Sequence, residues 1–146
     1  MHPRIRRTTK RATAVAAILA ATAGLNLAGA PNAAAADRAT FDVSVGATYY
    51  RGTFDFYNRS VVVDGVLRGL STGCRRGGAW AYDAGGNPLA HKTTSLVCNG
   101  AVERDIPLSW DVQGAASSVV VDLLDADGKL LKYCVATRGD EYCEVT

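Results

Sequence analysis

From residue 40 onward the chain is written in short runs whose apolar residues alternate with polar ones, each run closed by Gly, Asp or Asn. A period of two places every second side chain on one face of an extended strand. Beyond residue 36 no stretch sustains the i, i+3, i+4, i+7 apolar spacing of a helix. The expectation is therefore all-β: a small antiparallel β-sandwich of seven to nine strands with almost no helix.

The runs fall at 40–47, 49–57, 60–70, 78–83, 89–98, 101–112, 117–124, 130–137 and 141–145. Alternation groups Phe41, Val43 and Val45 on one face, and likewise Phe54 with Phe56 and Val61 with Val63 and Leu67. Further on it groups Ile106, Leu108 and Trp110, and Val119, Val121 and Leu123. Trp80 and Tyr82 share a face, and a core this small is expected to take one or both tryptophans. Pro107 cannot donate to a ladder, so it marks a bulge or an edge strand. Two turns share the form D-A-x-G-x-x-L, starting at Asp83 and at Asp125. Their fourth-place glycines, Gly86 and Gly128, supply a positive φ, and the leading aspartates can accept from backbone N–H groups across the turn.

Charge separates the first 36 residues from the rest. They carry Arg4, Arg6, Arg7, Lys10 and Arg11 and no Asp or Glu, which accounts for the overall +2. The remaining 110 residues hold eleven Lys and Arg against fourteen Asp and Glu, a net −3. Bulk charge thus gives no reason to expect a nucleic-acid partner. A cationic start, an Ala-rich apolar run from Ala12 to Leu27, and Ala34-Ala35-Ala36 form the three parts of an export signal. Residues 1–36 are read as a secretory signal peptide cleaved before Asp37, and 37–146 as one domain released to the extracellular space without membrane attachment. Arg6-Arg7 raises a twin-arginine route, but Thr8-Thr9 follow where bulky apolar residues belong, so general secretion is preferred. The Ala-rich style resembles the leaders of high-GC Gram-positive bacteria.

Cys74, Cys98, Cys134 and Cys143 all follow the leader, and an even count in a small secreted domain reads as disulfides. Of three pairings the sequential one closes the shortest loops, and each bridge contributes roughly 3 kcal/mol on a chain-entropy model. Zinc would need C-x2-4-C clustering, and no two of these cysteines are closer than nine positions.

Chemistry is thinly supplied. His91 is the one histidine after the leader, lies in a polar stretch, and has no G-x-S-x-G nucleophile elbow to serve. Asp122, Asp125 and Asp127 before Gly128 hint at a calcium loop, but the glutamate an EF-hand needs is missing. No catalytic residue, metal or cofactor is expected. Arg75-Arg76, beside Cys74, read as a disulfide-anchored loop of the kind an inhibitor of trypsin-like proteases presents, though Gly77-Gly78 argue against rigidity. Tyr49 and Tyr50 must point to opposite faces of a strand, so one is expected to be exposed and open to stacking against a sugar ring. Arg138-Gly139-Asp140 matches a short integrin-binding tripeptide, and Asn58-Arg59-Ser60 is a formal glycosylation sequon.

In turn pattern and strand spacing the chain resembles immunoglobulin-like and transthyretin-like extracellular sandwiches, with Cys74, Trp80 and Cys98 loosely in the Cys…Trp…Cys order. The resemblance implies a fold and carries no activity with it. The expected function is a monomeric or weakly self-associating, non-enzymatic binding module for a protein or glycan, with Arg75, Arg76, Tyr49 and Tyr50 as candidate contacts. A protease inhibitor working through Arg75-Arg76 is the alternative, and a small hydrolase using His91 or paired acids is third. Intact-mass spectrometry of protein from culture supernatant is expected to give an N-terminus at Asp37; a retained leader would overturn the secretory assignment.

Overall fold

The computed structural model describes residues 37–146; the expected leader lies outside the described residues. Among the described residues there are ten strands and no α-helix: β1 Arg38–Val45, β2 Thr48–Phe56, β3 Ser60–Gly69, β4 Arg76–Tyr82, β5 Pro88–Thr93, β6 Gly100–Glu103, β7 Ile106–Ser109, β8 Ser118–Leu124, β9 Leu130–Thr137 and β10 Glu144–Val145. They form two sheets. The first runs β1-β2-β3, with β6 and β7 end to end along the far side of β3; the second runs β10-β9-β8-β4-β5. Every strand pair is antiparallel.

The two sheets enclose one core, and they fill it with different materials. The first contributes Phe41, Tyr50, Phe54 and Phe56, while the facing strands of the second contribute Ala79, Ala81, Val119, Val121 and Ala136. Large rings on one side thus face small side chains on the other. Phe41 meets Tyr50 edge-on at 5.0 Å between centroids, and Phe54 meets Phe56 in the same manner at 5.5 Å. The inward sets expected from alternation are buried, except that Val45, at the end of β1, is 36% exposed. Trp110 is buried and donates its indole N–H to the Gly114 carbonyl at 2.8 Å.

The Tyr50 ring reaches across the core to Gly77 of the opposite sheet. A Cβ on Gly77 would lie 2.8 Å from the ring, and one on Gly65 of the neighbouring strand 2.7 Å from it. Its hydroxyl donates to the Arg104 carbonyl at 2.7 Å. That bond explains why the single run expected at 101–112 appears as two strands. Glu103 pairs with Val66 and Ile106 with Val63, so the register is kept across the break. The Arg104 N–H still donates to Gly65, at 2.7 Å, but its carbonyl serves Tyr50 instead of continuing the ladder. Pro107 lies in β7, an edge strand paired with β3 alone, as its missing N–H requires.

Both D-A-x-G turns close alike. Asp83 Oδ1 accepts from the N–H groups of Gly85 and Asn87, each at 2.8 Å, and Asp125 Oδ1 from those of Asp127 and Lys129 at 2.9 and 2.8 Å. Gly86 and Gly128 take φ of +77° and +83°. The disulfides are Cys74–Cys98 and Cys134–Cys143. The second holds the C-terminal segment against the edge of β1, where Thr40 N–H donates to Glu141 O and Cys143 N–H to Thr40 O, each at 2.9 Å.

Arg138 is tied down rather than displayed at a loop tip. It donates to Asp37 at 2.7 Å, the Tyr57 carbonyl at 2.8 Å and the Ala116 carbonyl at 3.1 Å, and covers the Phe56 ring at 4.9 Å. Asp140 accepts from the Thr137 N–H at 2.7 Å, so both charged members of the tripeptide serve the fold.

Gly77→Ala is expected to destabilise by about 1–3 kcal/mol through overpacking against Tyr50, read as a lower urea midpoint with an unchanged slope. Equal midpoints would show that the sheets can separate freely at this point.

Candidate functional site

Gly77, Ala79 and Ala81 of β4 face the core, so alternation sends Arg76, Gly78, Trp80 and Tyr82 to the outer face of the second sheet. Register then decides their neighbours. Trp80 is directly opposite His91 of β5, and Gly78 directly opposite Asp122 of β8. His91 stacks on the Trp80 indole with centroids 3.7 Å apart and planes 20° from parallel. The Tyr82 ring continues the parallel series at 6.3 Å from Trp80. On the other diagonal, Trp80 Nε1–H donates to Asp122 Oδ2 at 3.1 Å.

The missing side chain at Gly78 makes this possible. A Cβ there would stand 3.2 Å from both Cβ and Oδ2 of Asp122. The carboxylate instead lies down over the glycine, under Trp80 and beside Leu124, and the residue is only 7% exposed. Burial pushes the Asp122 pKa up, opposed by the Trp80 hydrogen bond and the charge of His91. Asp83, in its exposed turn, is held below the usual carboxylate range by hydrogen bonds, chiefly from the Asn87 side chain. Two aspartates on neighbouring turns and strands are thus shifted in opposite directions by their surroundings.

Beyond Asp122 the β8–β9 turn contributes to the lining of an open cleft of about 440 Å³, formed by Arg76, Trp80, His91, Asp122, Asp127 and Gly128 among others. Arg76 is half-buried there, and its Nε is buried without a hydrogen-bond partner among the described residues. The cleft thus combines a two-ring stack, a buried carboxyl group and a guanidinium. That set suits a ligand with a flat apolar face and polar substituents.

The residues singled out from sequence do not converge on one place. Tyr50 is a correction: it is fully buried between the sheets and offers no surface. Tyr49 faces outward on the first sheet, where the Arg51 guanidinium covers its ring at 3.7 Å. The Arg75-Arg76 loop is a second correction. Arg75 exchanges two backbone hydrogen bonds of 2.9 Å with Val97, and its side chain folds back to Thr48 Oγ1 at 3.0 Å and the Cys74 carbonyl at 2.9 Å. Arg76 already belongs to β4, so no extended loop projects from the bridge. Asp125 is occupied by its own turn, and the described residues contain no group of three side chains able to hold a metal ion. Arg76 and Trp80 are well separated from His91 and Asp122 in the sequence, and no local pattern joins the four. The small residues at alternate positions of β4 were the available signal for its outward face; the pairing with β5 and β8 had none.

A raised carboxyl pKa means that the folded protein binds this proton more tightly than the unfolded chain. Its stabilising contribution is complete below the ordinary carboxylate range and is lost as pH rises through the folded value. Asp122→Asn removes that dependence, so the variant is expected to gain stability relative to the wild type as pH rises from the ordinary carboxylate range through the raised folded value. Urea midpoints across that range check this; a constant difference would place the carboxylate in solvent.

Comparison with known protein families, with curated proteins and with solved structures finds no match for this chain.

Proposed function

We propose that this chain is a secreted, non-enzymatic binding module, immunoglobulin-like in the broad sense of two facing antiparallel sheets, and that its ligand is a glycan held in the Trp80 cleft. The carrying observation is the half-exposed Trp80–His91 stack on the floor of an open cleft beside Asp122 and Arg76. The C–H face of a sugar ring stacks on such rings, and its hydroxyls find donors and acceptors along the rim. Two disulfides are consistent with an extracellular setting, and no helix among the described residues is long and apolar enough to cross a membrane. The protein is taken to act as a monomer or weak self-associate, without cofactor or nucleic acid.

Of the alternatives, a protease inhibitor draws less support now that Arg75 is paired along its backbone and folded back at its side chain. A histidine hydrolase draws little support, because the side chain packed against the His91 ring is the Trp80 indole, which supplies neither a nucleophile nor an orienting carboxylate.

Trp110 is buried and Trp80 lines the cleft, so ligand-dependent changes in tryptophan fluorescence report on Trp80. Titration with a panel of cell-wall and plant oligosaccharides is expected to shift the emission, and Trp80→Ala, which lacks the reporting indole and is therefore titrated by calorimetry, to weaken binding at least about tenfold, in line with the loss of a stacked aromatic contact. Binding that survives Trp80→Ala undiminished would move the contact surface elsewhere.

A further inference from the structure

Eight arginines lie among the described residues, and most are committed to the fold. Arg38 pairs with Asp55 and Arg138 with Asp37, Arg51 reaches Asp42, and Arg59, Arg75 and Arg104 donate to carbonyl oxygens. Arg68 stands exposed on β3. Arg76 and Arg104 each hold an Nε shielded from solvent without a partner, but Arg104 donates through Nη1 to the Glu103 carbonyl, whereas half-buried Arg76 forms neither an ion pair nor a side-chain hydrogen bond among the described residues. Buried donors are nearly always paired, so an unpaired one in the wall of a cleft calls for a partner from outside the fold.

The acids nearby do not fill that role. Asp122 is turned to the Trp80 indole, and Asp127 stands exposed on the turn, its backbone N–H held by Asp125. What remains unfilled is a charge of opposite sign, close to a stacked ring pair. A carboxylate fits the planar guanidinium through two parallel N–H···O bonds, which a hydroxyl cannot match. A turn of the half-buried side chain toward the cleft would bring Nε into that fork and give it an acceptor.

We propose, resting on the glycan reading above, that the cleft selects acidic sugars: Arg76 receives the carboxylate of a uronic-acid residue whose ring lies against the Trp80–His91 pair. Specificity and platform are then separate parts of one site. The rings hold any sugar of suitable shape, and Arg76 distinguishes the charged one from its neutral counterpart.

The test is calorimetric titration of the secreted protein with a galacturonic-acid hexamer and with the same hexamer after its carboxyl groups have been reduced to alcohols. The acidic probe is expected to bind at least about tenfold more tightly, as a charge-assisted bidentate contact implies. Arg76→Gln is expected to bring it down to the neutral level, with Arg76→Lys between the two. Should Arg76→Gln fail to fold, the wild type decides: raising salt to about 150 mM weakens the acidic probe selectively if charge pairing holds it. Equal, Trp80-dependent binding of both probes would overturn the acid selectivity and leave the glycan reading standing. Acidic preference unaffected by Arg76→Gln would overturn the assignment to Arg76. Binding of neither probe, with no response across the wider saccharide panel, would overturn both readings.

Discussion

Tyr50 is wedged between Gly65 and Gly77 with its hydroxyl on the Arg104 carbonyl, and the separation of the two sheets is set at that point. A ring of this size can enter only where the facing strand has no side chain, and a buried hydroxyl is tolerated only if it finds an acceptor. Both conditions are met by backbone: a glycine on the opposite sheet, and a carbonyl released from the ladder at the β6–β7 break. The same economy of side-chain volume continues along β4, whose inward side chains are no larger than methyl groups at Ala79 and Ala81.

The outer face of the second sheet inherits its character from that constraint. Because β4 spends its small residues on the core, its larger ones, Arg76, Trp80 and Tyr82, must stand on the other side. Gly78 interrupts them and leaves a depression into which the Asp122 carboxylate settles, and Trp80 bonds and partly covers it. The cleft is thus the outward counterpart of a tight core, formed where small residues on both faces of one strand let neighbouring side chains lie down.

The margins of the sandwich are closed by different devices. On one side, Cys134–Cys143 holds the C-terminal segment to the edge of β1, which removes part of an open strand edge. At one end, Arg138 gathers Asp37, Tyr57 and Ala116, drawing together segments far apart in the chain. The tripeptide that suggested a recognition loop is therefore better understood as a clasp, since its arginine and aspartate are both used internally.

Local chemistry was legible in the residues themselves. Period-two alternation marked Phe54, Val61, Val63, Val119 and Val121 as core, because pleating leaves a strand residue only two directions to point. The turns at Asp83 and Asp125 were equally plain, their bonds and positive φ angles being settled within five residues. Tertiary structure decided what alternation leaves open, namely which of the two faces meets the core. It buried Tyr50 rather than Tyr49 and Trp110 rather than Trp80, and it folded Arg75 back against Thr48. It alone brought Trp80, His91 and Asp122 together, because they lie on three strands whose adjacency depends on long-range pairing that no local pattern records.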